Sequence, residues 1–153
     1  MRTLLGARVA IAVGLLGLTL PARAQTAADK EAIKQTALDY VEGWYEGNAE
    51  RMERALHPDL PKRIVSTNPK SGKDRLDQMS ALALVQYTRA GGGKKTPKEN
   101  QQKDVTILDV YENMASVKVV FADWVDFVHI AKFNGRWVIV NVLWEYKPEP
   151  DHK

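Results

Sequence analysis

Hydrophobic positions follow two periods along the chain, and the change of period divides it. From Lys103 to Tyr146, runs of β-branched and aromatic residues are separated by turn residues, which is the pattern of strands. The clearest case is Phe127–Phe133 and Arg136–Trp144 around Asn134-Gly135. That dipeptide fits a type I′ hairpin turn, because both central residues need positive φ. An earlier hairpin joins Val105–Tyr111 to Ala115–Ala122 around Glu112-Asn113 and gives Leu108 and Val117 a shared face. Asp123 and Trp124 turn the corner between the hairpins, so the pattern predicts a twisted antiparallel meander.

Upstream the spacing is helical. Thr26-Ala27-Ala28-Asp29 has the form of a capping box, and Ile33, Ala37, Tyr40, Val41 and Trp44 make one apolar stripe. Gly47 can take the left-handed position that ends this helix. Asn48 then fits the N-cap of a short second helix carrying Met52, Ala55 and Leu56. His57-Pro58-Asp59-Leu60-Pro61 stops it, since proline lacks the N–H and restricts its predecessor. Lys62–Ser66 reads as a short strand, placed at a sheet edge by the flanking prolines. Residues 67–73 read as loop. A third helix is predicted from Asp74, with Asp74 or Asp77 at its positive N-terminus. Its apolar residues Met79, Ala81, Leu82, Ala83, Leu84 and Val85 lie on several sides, so it should be enclosed on several sides. Ala90–Pro97 predicts a flexible basic surface loop. It is not a phosphate loop: the G-x-x-x-x-G-K-[ST] pattern is absent and its glycines follow a helix.

The turn at Asn134-Gly135 sets a register with Phe133 opposite Arg136, and cross-strand partners share a face. One face then carries Trp137, Ile130, Ile139, Val128, Asn141, Asp126 and Leu143. The other carries Ala131, Val138, His129, Val140, Phe127, Val142, Val125 and Trp144. Both are largely apolar, whereas a solvated face would alternate with polar residues. Helices can cover one side and a second subunit the other. A one-residue bulge would exchange these assignments.

The N-terminus alters the charge picture. Arg2 and Arg8 precede an uncharged run from Val9 to Leu20, and Ala22-Arg23-Ala24 supplies a cleavage site, so residues 1–24 read as a secretory signal peptide. Twelve apolar residues make about 18 Å of helix against a hydrocarbon core of about 30 Å, too short for a span. The expected organisation is signal peptide 1–24, one domain at 25–147 and a disordered tail at 148–153, with the mature protein periplasmic or secreted and free of the membrane. Of the 22 Lys and Arg, Arg2, Arg8 and Arg23 fall in the signal, leaving 19 to balance 19 Asp and Glu. The basic character therefore belongs to the targeting segment and gives no ground for nucleic-acid binding. The absence of cysteine excludes disulfides, thiol nucleophiles and zinc-thiolate sites.

Two helices, a strand, a helix and a four-strand meander form an α+β layout in which a curved sheet wraps round helices. With Ala37-Leu38-Asp39-Tyr40-Val41-Glu42-Gly43-Trp44-Tyr45, Leu56-His57-Pro58-Asp59-Leu60 and Asn134–Trp144, the chain resembles the NTF2-like superfamily, the cone fold shared with SnoaL-like proteins and ketosteroid isomerases. Within it, the match is to the "putative lumazine-binding" family, over nearly all of residues 29–146. The resemblance implies a cystatin-like cone, three N-terminal helices with a curved antiparallel sheet, and a homodimer packed through the sheet.

The candidate site residues are Tyr40, Trp44, Asp126, Trp137 and Asn141 for ligand binding, with Asp126 and His57 as weak catalytic candidates. Asp126 in an apolar cavity would have a raised pKa and could act as acid or base; solvated or paired with Arg63 or a lysine, it would be structural. Tyr40 and Trp44 could stack a flat ligand or simply fill the core. His57 can meet the negative end of the second helix or stand at the cone mouth. His129 falls on the subunit-facing side. His57, His129 and His152 lack metal-ligand spacing, there is no nucleophile elbow, and no cofactor is called for. These features favour a binder of a small hydrophobic or aromatic ligand. The alternatives are a cofactor-independent acid/base enzyme of isomerase, dehydratase or cyclase type, and a protein–protein interaction module.

Overall fold

The computed structural model describes residues 26–148. The expected signal peptide, and all of the expected tail except Pro148, lie outside the described residues. Helix α1 spans Ala27–Glu46 and starts at the capping box: the Thr26 hydroxyl accepts from the Asp29 N–H at 3.0 Å and donates to the Asp29 carboxylate at 2.8 Å. Gly47, at φ 64°, ends it. Helix α2 spans Ala49–Ala55, capped by the Asn48 side chain on the Arg51 N–H. The two helices form a hairpin whose closeness depends on Gly43, where a Cβ would meet the Met52 nitrogen at 3.0 Å.

The next segment departs from expectation. Strand β1, Pro61–Thr67, pairs with a second strand β2, Asp74–Ser80, where a helix was predicted to begin. Helix α3 is shorter, Ala81–Arg89, and Ser80 caps it by accepting from the Ala83 N–H at 3.2 Å. Cross-strand pairing overrides the helical reading of 74–80: Thr67 donates to Asp74 at 2.7 Å, Arg63 to Gln78 at 2.9 Å, and Ser66 to Asp77. β1 is therefore internal and β2 takes the edge, where its charged residues discourage further pairing. The Ala90–Pro97 stretch is also no free loop. Gly92–Lys95 forms a turn of 3₁₀ helix with Gly93 buried, and a Cβ on Gly93 would lie 2.4 Å from the Trp44 carbonyl oxygen. Glycine permits that approach.

Strands β3 (Asp104–Tyr111), β4 (Met114–Val120), β5 (Trp124–Phe133) and β6 (Arg136–Tyr146) complete a curved sheet of order β2-β1-β6-β5-β4-β3. Every pair is antiparallel except β1 with β6. Ile33, Ala37, Tyr40 and Val41 of α1 pack in one core with Val117, Val119, Val128, Ile130, Ile139 and Val142.

Asn134 and Gly135 both have positive φ, 48° and 80°, and Phe133 faces Arg136 as the turn requires. The register then shifts: Ile130 pairs with Ile139, but His129 pairs with Asn141, leaving Val140 as an extra residue. The bulge sits where the segment after α2 arrives, with the His57 N–H donating to the Ile139 carbonyl at 2.9 Å. Beyond it every β6 side chain changes face. Val142 and Trp144 turn inward beside Val128 and Asp126, while Asn141 and Leu143 turn outward beside His129 and Phe127. The assignments of Asn141 and Leu143 to the interior, and of Val142 and Trp144 to the outer face, are thereby corrected. A bulge at Leu108 does the same in β3: Ile107, not Leu108, pairs with Val117.

Candidate functional site

The concave side of the sheet holds a cavity of about 250 Å³. Helices α1 and α2 supply Tyr40, Trp44 and Met52, β1 and β2 supply Lys62 and Met79, and α3 supplies Leu84 and Tyr87. The β4–β5 corner and the ends of β5 and β6 add Phe121, Trp124, Trp144 and Tyr146. The corner is closed by the Phe121 N–H donating to the Trp124 carbonyl at 2.9 Å and tied to α1 by the Ala122 N–H donating to the Tyr45 hydroxyl. Its aromatic rings form a connected wall: Phe121 stacks on Trp124 at 4.6 Å between centroids, Tyr40 meets Phe121 edge-on, and Trp44 and Trp144 each meet Trp124 edge-on. Tyr87 and Tyr146 are more than half exposed and mark the mouth.

Lys62 is the single charged residue in this lining, 6% exposed, and its ammonium lies 5.0–5.9 Å from the ring centroids of Tyr40, Phe121, Trp124 and Trp144. It donates to Asp126 Oδ2 at 2.7 Å and to the Tyr40 hydroxyl oxygen at 2.8 Å. Tyr40 in turn donates to the same Asp126 oxygen at 2.5 Å. Asp126 is fully buried behind these two groups and does not itself line the cavity. Burial pushes the Asp126 carboxyl up against the pull of Lys62 and Tyr40, and pushes the Lys62 amine down against the pull of Asp126. Burial, then the Asp126 charge, raises the Tyr40 phenol well above its ordinary value, so it stays a donor. The second Asp126 oxygen and the Trp124 indole N–H are both buried without a hydrogen-bond partner.

An ion pair withdrawn from water is weak support for a fold, since desolvation offsets much of its attraction. Here it does three chemical things. It places one cationic donor in an otherwise apolar chamber, it cancels that charge, and it couples the donor to a proton acceptor and a phenol.

Of the residues singled out in the sequence, Tyr40 and Trp44 line the cavity and Asp126 lies one hydrogen bond behind its wall. Trp137 is elsewhere. Its indole donates to Asp29 Oδ1 at 3.1 Å, and Lys132 donates to the same oxygen at 2.8 Å, clamping the start of α1 to the hairpin. Hydrogen bonds from Lys132, Thr26 and Trp137 hold the Asp29 carboxyl well below the usual carboxylate range. Asn141 is on the outer face, bonded to Arg63 at 3.1 Å and 3.2 Å from His129 Nδ1. His57 packs on Phe133 in a surface depression with Pro58, Asn134 and Arg136. It shares no lining residue with the cavity. Lys62, Trp124 and Trp144 were missed as site residues. Lys62 carried no sequence signal, because its strand sets Lys62 with Ile64 on one face and Arg63 with Val65 on the other, and Trp144 was hidden by the bulge.

A sheet curved over helices with a cavity on its concave side defines an α+β cone of the NTF2-like class. The chain belongs to the family described as "putative lumazine-binding", whose sequence pattern matches residues 28–145. Among functionally curated proteins, none matches. Solved structures with the same fold include an NTF2-like protein of unknown function from Shewanella baltica OS155, 17% identical over 81% of this chain and 98% of that one, at a TM-score of 0.58. Two more NTF2-like proteins of unknown function are similar in the same way. That from Silicibacter pomeroyi DSS-3 is 18% identical over 80% and 99% of the two chains, with a TM-score of 0.58. That from Methylobacillus flagellatus KT is 20% identical over 80% and 95%, with a TM-score of 0.59. Among the described residues, no helix is long and apolar enough to cross a membrane.

Proposed function

We propose that this protein is an exported binder of a small, flat, largely apolar molecule, released into the periplasm or medium after cleavage behind Ala24. The observation that carries the reading is the cavity: aromatic and thioether side chains surround one buried cation that already has its counter-charge. A ligand entering such a site gains from burying apolar area and from stacking, about 25 cal/mol per Å² for the first. The cation offers orientation to one acceptor atom. At about 250 Å³, the volume suits a ring system or two and is below the roughly 300–1,000 Å³ common for drug-sized ligands. The family's description names lumazine, a fused-ring heterocycle with carbonyl groups, which makes it a rational probe.

The Lys62–Asp126–Tyr40 group also favours a second reading, acid/base catalysis without a cofactor. There Asp126 would exchange protons through Tyr40 or Lys62, because it does not reach the cavity itself.

The assembly we propose is a homodimer through the outer sheet face. Leu76, Val65, Leu143 and Phe127 lie on four adjacent strands, each half-exposed or more, and form an apolar band with no cover in the monomer.

Native mass spectrometry of protein recovered from an exporting host tests these statements together. The expected result is a dimer of chains beginning at Gln25, carrying a small molecule or binding lumazine with quenching of Trp44, Trp124 or Trp144 fluorescence. An uncleaved chain overturns export, a monomer overturns the dimer, and a cavity that takes no flat aromatic overturns the binding reading.

A further inference from the structure

Resting on the cavity as a ligand site, we infer that Lys62 is a carbonyl-reactive amine, and that the ligand class is a neutral aromatic aldehyde or ketone held as a reversible imine on its Nζ. Three features on the page lead there. The charge of Lys62 is already matched by Asp126 at 2.7 Å, so an anionic ligand at Nζ would also meet a buried carboxylate. Neutral, acceptor-bearing molecules meet no such opposition. The amine is withdrawn from water, with Lys62 only 6% exposed, and burial disfavours its ammonium form. Finally, both proton carriers that imine formation needs are in contact with it, Asp126 and Tyr40.

The step balances without a further reagent. Asp126 takes one proton from the Lys62 ammonium, and the nitrogen lone pair then forms a bond to the carbonyl carbon as the C=O π pair moves to oxygen. That oxygen acquires a proton, through Tyr40 or from the attacking nitrogen, to give a carbinolamine. The hydroxyl leaves as water with the proton held on Asp126, and the C=N bond forms as a protonated imine whose N–H faces the regenerated Asp126 carboxylate. Amine and carbonyl compound give imine and water, and hydrolysis reverses it. The wall of Phe121, Trp124 and Trp144 keeps the chamber apolar, which limits that reverse step while the ligand is seated.

The test exposes the full mature protein briefly to near-stoichiometric naphthaldehyde with sodium cyanoborohydride and maps the reduced adduct by peptide mass spectrometry. Tryptophan fluorescence is followed in parallel. Seating the probe in the cavity holds its carbonyl beside the Lys62 amine, so label should concentrate on Lys62 by at least about tenfold over surface lysines. Naphthalenemethanol, which has the same rings but cannot condense, should suppress it. Label spread over surface lysines with Lys62 unmodified, while the naphthyl probe still quenches tryptophan, overturns the imine and leaves the binding reading intact. No quenching and no Lys62 label overturns both. The readout on the unmodified sequence needs no variant.

Discussion

Replacing Lys62 by Met removes the cation from a pair whose other member, Asp126, is 0% exposed. The carboxyl keeps only the Tyr40 hydroxyl as a donor. It must then stay ionised in an apolar wall or take up a proton. Breaking a buried pair from one side costs about 3–5 kcal/mol. Protonation sets a ceiling: bringing a carboxyl of ordinary pKa 3.8 to the neutral form at pH 7 costs about 4 kcal/mol at 1.36 kcal/mol per unit. The two estimates agree, so Lys62→Met should lose about 3–4 kcal/mol at pH 7, as measured by urea unfolding. The sign of the pH dependence follows. In the variant, Asp126 has a folded pKa raised above its unfolded value, so its contribution to stability falls as pH rises past about 4. The gap to the parent protein should therefore be largest at pH 7 and smaller at pH 5. Adding Asp126→Leu should recover most of the loss, since both charges are then gone. A loss under about 1 kcal/mol, or one that is equal at the two pH values, would mean that water reaches Asp126 and would refute the argument.

Three further outcomes are expected. Gly93→Ala puts a methyl 2.4 Å from the Trp44 carbonyl oxygen and 2.6 Å from its ring, so it should cost about 1–3 kcal/mol in urea unfolding and shift tryptophan emission; parent-like values on both would show that the 3₁₀ turn is not pinned. Asp39 is pushed up by burial, but hydrogen bonds from Arg54 and Arg51 outweigh that and hold it below its ordinary value; Asp39→Asn should cost about 1–2 kcal/mol at pH 7, and because a depressed pKa gives stability that is full above the unfolded value and lost as pH falls through the folded one, the difference should shrink as pH falls below 3.8. Leu143→Asp in the outer apolar band should convert the proposed dimer to a folded monomer by light scattering with circular dichroism unchanged, and a monomeric parent protein would remove the basis of the experiment.

Local chemistry alone settled much of the architecture. The Thr26–Asp29 box, Gly47, Asn48, the Glu112-Asn113 turn and Asn134-Gly135 each need only neighbours in sequence, and each stands where its residues predict. The stripe of Tyr40 and Trp44 was legible for the same reason, because helical period fixes a face without reference to anything else. What failed was whatever depended on a distant partner. Asp74–Ser80 is a strand because Pro61–Thr67 offers it a ladder, and no feature within the segment outweighs its helical appearance. The glycines after α3 mark close packing on Trp44, a contact across more than forty residues. The sheet's faces show the division most sharply. A two-residue turn fixes the register only until the first bulge, and Val140 is bulged where the chain leaving α2 bonds to Ile139. One extra residue turned Asn141 out and Trp144 in. Sequence thus determined the elements, their caps and the α+β class; the identity of the charged residue in the cavity, its pairing with Asp126 and the composition of the aromatic wall were decided by tertiary structure, because side chains from seven separate elements and a corner converge there and strand register is a property of the pair, not of either strand.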